Sequence, residues 1–256
     1  MYPVITQIAS GCAMSKIEWT EQTWNPVTGC TKVSPGCKHC YAETMSKRLK
    51  AMDAPGYENG FQLSLIPERL SQPLQRRKPT MYFVNSMSDL FQDGVPFEFI
   101  DAVMEVIEST PWHTYQILTK RSKRMRQYFG SRVVPDNAWL GVSVEDKQYG
   151  KPRIPDLQAI KVKTRFLSIE PLLEDLGRIR LAGIHWVIVG GESGLGARPM
   201  QELWVTRLRD QCERAGVDFF FKQWGAWGED GIKRSKKANG RKLQGRIWDM
   251  IPASAI

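Results

Sequence analysis

Hydrophobic and polar positions repeat on two scales along this chain. Short runs rich in β-branched and aromatic residues are Met81-Tyr-Phe-Val-Asn85, Thr114-Tyr-Gln-Ile-Leu-Thr119, Ala138-Trp-Leu-Gly-Val-Ser-Val144, Thr164-Arg-Phe-Leu-Ser-Ile169, His185-Trp-Val-Ile-Val189 and Asp218-Phe-Phe-Phe-Lys222. Trp24-Asn-Pro-Val-Thr28 adds a short first strand. Between these runs lie longer stretches of helical period. Residues 96–110 place Phe99, Val103, Val106 and Ile107 on one stripe, closed by Pro111. Residues 202–215 place Leu203, Val205, Leu208 and Cys212 near one face, with Gly216 as the stop. Strands alternating with helices predict an α/β fold with a mainly parallel sheet. Cys212 then falls in the core, where a free cysteine packs as a small hydrophobe.

The residues just past each strand carry the candidate chemistry. The strand ends read Asn85-Ser-Met-Ser-Asp89, Thr119-Lys-Arg121, Ser143-Val-Glu-Asp146, Ser168-Ile-Glu170, Gly190-Gly-Glu-Ser-Gly194 and Lys222-Gln223. In a βα barrel the carboxyl ends of the strands build one face, so these groups are expected to converge. The chain has 256 residues and 42% hydrophobic content, enough for one such domain. Its 36 Lys and Arg outnumber 27 Asp and Glu, which favours polyanionic partners. No apolar run of about 18 residues is present, so no membrane span is expected. Residues 1–13 lack the basic and apolar regions of a signal peptide, and Met14-Ser-Lys-Ile-Glu-Trp19 reads as a natural start, leaving Cys12 incidental.

Three of the five cysteines share one loop, Thr28-Gly-Cys-Thr-Lys-Val-Ser-Pro-Gly-Cys-Lys-His-Cys-Tyr-Ala-Glu43. An odd cysteine count in a chain of this size points to a reducing, cytoplasmic compartment and to ligands rather than disulfides. Three thiolates can hold an iron–sulfur cubane with one iron left open. A zinc site needs a fourth ligand, for which His39 would have to fold back, and unliganded thiols are the third reading.

Gly36-Cys-Lys-His-Cys-Tyr-Ala42, entering a βα barrel after its first strand, resembles the cluster loop of the radical S-adenosylmethionine (SAM) superfamily, particularly the form in spore photoproduct lyase-like proteins. From Lys16 onward the chain more closely resembles a phage- and prophage-associated family of radical SAM-like proteins. Trp24-Asn-Pro-Val-Thr-Gly-Cys30, Phe83-Val-Asn-Ser-Met-Ser-Asp89, Leu118-Thr-Lys-Arg121, Trp139-Leu-Gly-Val-Ser-Val-Glu145, Leu167-Ser-Ile-Glu-Pro171, Val189-Gly-Gly-Glu-Ser-Gly194 and Phe221-Lys-Gln-Trp-Gly225 carry that match. The first cysteine gap here is six residues, where the superfamily usually has three.

The resemblance implies a partial (β/α)6 TIM-like barrel over residues 16–226, between an N-terminal extension at 1–15 and a basic C-terminal loop or tail at 227–256. It implies a 4Fe–4S cluster on Cys30, Cys37 and Cys40 that binds SAM, and reductive cleavage to a 5′-deoxyadenosyl radical. An electron donor such as flavodoxin or ferredoxin would serve a monomer in the cytoplasm, the host's if the chain is phage-encoded. For SAM's ammonium the candidates are Ser86, Ser88 and Asp89, and for its carboxylate Lys120, Arg121 or Arg198. Ser143, Glu145 and Glu170 suit ribose hydroxyls, and Gly190-Gly191 would let backbone approach a ligand beside Glu192. The same residues also read as helix caps, and Asp89 and Glu145 as partners of nearby arginines.

Basic residues cluster at Arg76-Arg-Lys78, at Lys120 to Arg126, and at Lys233 to Arg246. The last group, expected as a mobile loop, follows the aromatic run Phe219 to Trp227. Lys222, Trp224, Trp227, Lys233, Arg234, Lys236, Lys237, Arg241 and Lys242 are therefore candidates to bind nucleic acid through charge and stacking. The phage association favours DNA, with a hypermodified thymine as the base to be changed. Photoproduct repair, action on a small nucleotide-like molecule, and a zinc-stabilised nucleic-acid-binding module are the alternatives.

Overall fold

The computed structural model describes residues 17–253. The N-terminal extension, with Cys12 and the Met14 start, lies outside the described residues. Seven parallel strands form one sheet: β1 (Gln22–Trp24), β4 (Met81–Val84), β5 (Thr114–Thr119), β6 (Ala138–Ser143), β7 (Thr164–Ile169), β8 (Trp186–Gly190) and β9 (Asp218–Gln223), in that spatial order. A separate antiparallel pair, β2 (Val27–Thr28) and β3 (Ser64–Leu65), lies between β1 and β4 in the chain. The sheet curls as a half-barrel, with β1 and β9 as its two unjoined edges. The helices are α1 (Tyr41–Ala51), α2 (Phe97–Glu108), α3 (Ser122–Tyr128), α4 (Arg153–Gln158), α5 (Glu202–Ala215) and the short α6 (Lys236–Asn239), and a hairpin of β10 (Lys242–Leu243) and β11 (Arg246–Ile247) comes last.

Most expected strands appear within a residue of their sequence bounds, because β6 and β8 are buried along their whole length and so read as unbroken apolar runs. The first strand does not. Pro26 has no N–H to give to a ladder, so the chain leaves the main sheet after Trp24 and re-pairs at Val27 with Leu65. In α2 the buried stripe is Ile100, Val103, Met104 and Ile107, with Phe99 and Val106 at its edges. In α5 Leu203 faces solvent at 54% exposure, while Val205, Leu208 and Cys212 are buried and Gly216 ends the helix at φ +63°. The β7–β8 connection has no helix; Leu172, Leu176, Ile179, Leu181 and Ile184 bury that segment instead.

Alternation along the strands divides the core. One face of the sheet packs α2 to α5. The concave face carries Trp139, Phe166, Trp186, Ile188 and Phe220, joined by Trp19. Phe166 fits only because Gly141 beside it has no side chain: a Cβ there would stand 2.4 Å from the ring. The ring is hemmed by Trp186 at 5.9 Å and Trp19 at 6.4 Å. Gly141→Ala is therefore expected to destabilise by about 1–3 kcal/mol, lowering the thermal midpoint by several degrees. An unchanged midpoint would mean that the ring can move.

The C-terminal basic segment is folded rather than a bare loop. Ser235 caps α6, accepting from Ala238 N at 3.2 Å. Asn239 donates to Gly225 O at 3.0 Å, and Asp249 bridges Phe220 on the outer edge of β9. Covering an edge strand in this way removes a row of unpaired backbone groups from solvent.

Candidate active site

Beyond the aromatic floor, the strand-end residues on the concave side are polar. The same alternation that places Trp139, Phe166 and Trp186 inside carries forward to Ser143 and Glu145, Ser168 and Glu170, and Gly190 and Glu192. The loop bearing Cys30, Cys37 and Cys40 lies across this end, tied down by side chains from several strands.

The first tie is to the end of β4. Asn85, at φ +58°, accepts from Val27 N at 3.2 Å. Ser86 donates to Asn25 Oδ1 at 3.1 Å, and Ser88 and Gln92 donate to Gly29 O at 2.6 and 2.9 Å. Gly29 adopts φ +75°, and a Cβ there would lie 2.0 Å from Gln62 O, so no other residue fits this entry to the loop. Ser86 and Ser88 thus fasten the loop.

Asp89, 5% exposed, accepts from Thr119 Oγ1 at 2.6 Å, Phe91 N at 3.0 Å, Lys120 N at 2.9 Å and Arg121 Nη1 at 3.0 Å. Arg121 in turn donates to Thr31 O at 2.8 Å and reaches Cys30 Sγ at 3.4 Å. Burial pushes the Cys30 thiol up to about 11, with Arg121 opposing and Asp89 and Cys37 adding to it.

Glu145 is fully buried at the end of β6. It accepts from Ser34 Oγ at 2.8 Å, pairs with Lys120 at 3.0 Å, and is bonded by Arg153, which also donates to Ser143 O at 2.7 Å. Ser34 Oγ lies 3.8 Å from Cys37 Sγ. Gly36 sits against the same carboxylate, where a Cβ would approach to 2.5 Å. Past β8, Glu192 accepts from Arg198 Nε at 2.8 Å, and Arg198 donates to Pro35 O at 3.0 Å. The structure therefore brings Asp89, Lys120, Arg121, Glu145, Glu192 and Arg198 together around the cysteine loop as ion pairs. This is the arginine-partner reading that the sequence left open for Asp89 and Glu145. Arg153, Ser34, Thr31 and Asn25 escape sequence reasoning, because each gets its role from a partner distant in the chain or across a turn.

Glu170 pairs with Lys222 at 3.1 Å and accepts from Ser168 at 3.3 Å. The double glycine has a packing cause: a Cβ on Gly191 would lie 1.9 Å from Trp224 O, so the close approach is to the protein's own backbone. His39 lies against Gly196, whose Cβ would stand 2.9 Å from the ring. Among the described residues no three His, Cys, Asp or Glu side chains are gathered as a metal-ligand set. The donor chemistry nevertheless fits a cluster: three thiols on one loop, all partly exposed, with Arg121 aimed at one sulfur.

The basic candidates divide. Trp224 is 1% exposed, edge-on to Phe221, and donates to Lys242 O at 2.7 Å, so it has no face left for a base. Trp227 is half-buried, donates to Ala197 O at 2.7 Å and lies under Lys233 at 5.6 Å. Arg234 pairs with Asp230 at 2.6 Å and Lys236 with Glu18 at 2.7 Å, while Lys237 and Lys242 are exposed. In the helical run, Arg124 donates to Gln92 O and Val95 O and serves the fold. No helix among the described residues is long and apolar enough to cross a membrane.

Comparison places these features among known proteins. The family model described as "Protein of unknown function (DUF5131)" matches residues 14–252. No curated protein sequence matches the chain. Among solved structures, a cysteine-to-serine variant of spore photoproduct lyase aligns with TM-score 0.50 and 14% identity, over 73% of this chain and 60% of that one. A cysteine-to-alanine variant with dinucleoside spore photoproduct aligns with TM-score 0.50 and 14% identity, over 91% of this chain and 73% of that one. At such identity the likeness is one of fold.

Proposed function

The chain belongs to the DUF5131 family, matched over nearly all its length, and we propose that it is a radical SAM enzyme that modifies a nucleobase, with hypermodified thymine in phage DNA as the preferred substrate. The observation that carries this reading is the cysteine loop lashed across the strand ends of a half-barrel by Asp89–Arg121, Ser34–Glu145 and Pro35–Arg198. That is the end at which barrel enzymes assemble their chemistry. The half-barrel's likeness to spore photoproduct lyase supports the same reading.

Cys30, Cys37 and Cys40 would hold the 4Fe–4S cluster. With SAM bound to it and an electron supplied, the cluster would provide a hydrogen-abstracting 5′-deoxyadenosyl radical. The chain's own residues position and shield. Asp89 and Glu145 have their oxygens committed to protein donors, so their part is to fix the loop and the cations around it. Ser143, Ser168 and Glu170 lie on the concave face, and SAM's polar groups would meet Glu170 there together with its partners Ser168 and Lys222. Trp139, Phe166 and Trp186 close the floor below and keep water out.

Repair of a base lesion is the second reading, favoured by the neighbour solved with a dinucleoside photoproduct. Anaerobic reconstitution is expected to give brown protein absorbing near about 400 nm, with roughly four irons per chain, that cleaves SAM when reduced. Colourless protein holding stoichiometric zinc would sink the proposal. Mass spectrometry of nucleosides from treated phage and host DNA then separates modification from repair.

A further inference from the structure

One basic side chain near the strand ends lacks the partners its neighbours have. Arg241 follows Gly240, which turns the chain out of α6 at φ +68°. Its guanidinium stacks on Phe220, 4.9 Å from the ring centroid. Stacking occupies the face of the group and leaves its edges. Nε and Nη2 are both buried without a hydrogen-bond partner. These two nitrogens form the side-on fork of the guanidinium, whose parallel N–H bonds match two oxygens of one oxyanion. Leaving such charged donors buried and unpaired is unfavourable, so the geometry calls for an acceptor from outside the chain.

The surroundings select the acceptor. Arg241 lines a pocket of about 250 Å³ with Glu18, Lys222, Gln223, Lys236, Lys237 and Gly240. That is room for a tetrahedral oxyanion and part of its hydration. Glu18 is the pocket's one carboxylate, and it is already bound to Lys236 at 2.7 Å. Positive charge remains in excess, on Arg241 and the exposed Lys237 above all. A phosphate suits this lining, because its tetrahedrally set oxygens can meet the guanidinium fork and still accept from a lysine.

We propose that this pocket is a phosphate-binding site in which Arg241 Nε and Nη2 donate to two phosphate oxygens and Lys236 and Lys237 balance the charge. Lys222 lines the pocket and also pairs with Glu170 at the strand ends, so a phosphate held here lies beside the concave face. Resting on the nucleobase reading above, the group is the backbone phosphate flanking the nucleotide to be modified. The site thereby turns a general basic patch into a fixed register for one nucleotide.

The test titrates inorganic phosphate, and separately thymidine with and without a 5′-phosphate, into the full-length protein at constant ionic strength by calorimetry. Saturable phosphate binding is expected, with the 5′-phosphate tightening nucleoside binding by about tenfold or more. Arg241→Gln should erase that gain. Lys237→Gln, at an exposed position, should reduce it several-fold, and melting curves establish that both variants are folded. A phosphate gain unchanged in both variants, or absent from the wild type, overturns the site. Phosphate binding with no gain for the nucleoside 5′-phosphate keeps the pocket and removes its link to nucleotides. SAM cleavage is read separately: cleavage without Arg241-dependent phosphate binding rejects the pocket alone, and phosphate binding without cleavage rejects the enzyme reading alone.

Discussion

Cys37→Ala is expected to yield a folded protein that no longer takes up iron. After anaerobic reconstitution its iron should fall from roughly four per chain to a small fraction of that, and SAM cleavage by more than about a hundredfold, beyond what losing an outer-shell partner costs. The fold should survive because the Cys37 side chain is only partly buried, with Ser34 Oγ at 3.8 Å. The backbone bond that makes its turn, Cys37 N to Ser34 O at 2.9 Å, is untouched by the substitution. Stability should therefore change by no more than about 0.5 kcal/mol. Cys212→Ala is the contrast. That thiol is wholly buried in α5, so its loss should lower stability by about 1 kcal/mol and leave iron and cleavage intact. Full iron and cleavage in Cys37→Ala would show that the loop is not the ligand set.

The strands were legible because their burial is continuous. A parallel strand covered on both faces must be apolar at nearly every position, and Trp186-Val-Ile-Val-Gly190 is so. The end of the sheet that bears the polar groups is set by the same register. What the spacing could not reveal was which polar groups are already spoken for. Asp89 and Glu145 look alike in the sequence, each a carboxylate just past a strand, and spacing alone lets either meet a ligand. Their commitments depend on Arg121 and Arg153, placed by α3 and α4, and on Ser34 in a loop more than a hundred residues from Glu145.

The aromatic run before the basic segment misled for a related reason. Phe219-Phe-Phe-Lys-Gln-Trp-Gly-Ala-Trp227 alternates through an edge strand, and its rings read equally well as a stacking platform or as core. The C-terminal chain decides it: Asp249 pairs beside Phe220 and Lys242 takes the Trp224 N–H, which closes both over. Of the basic residues in this segment, Lys237 and Arg241 meet at one pocket, while Lys242 stands exposed outside it.

Glu145→Ala is expected to be the most destabilising single change at the strand ends, by about 3–5 kcal/mol, because it strands Lys120 and Arg153 as unpaired charges. Its pH dependence identifies the mechanism. Burial pushes the Glu145 carboxyl up, but Lys120, Arg153 and the Ser34 hydroxyl more than reverse this and hold it at about 2, below its ordinary 4.5. A carboxyl depressed in the folded state contributes stability that is fully present above 4.5 and is lost as the pH falls towards 2, since the unfolded chain takes the proton first. That contribution is of the order of 3 kcal/mol at neutral pH. Urea unfolding of wild type and Glu145→Ala should therefore differ most at about pH 6 and converge as the pH falls from about 5 to 3. Because Ser34 hangs on this carboxylate and carries the turn to Cys37, the variant should also retain less iron at neutral pH. A stability gap that stays constant across that range would place the cost in lost packing rather than in the charge of this carboxylate.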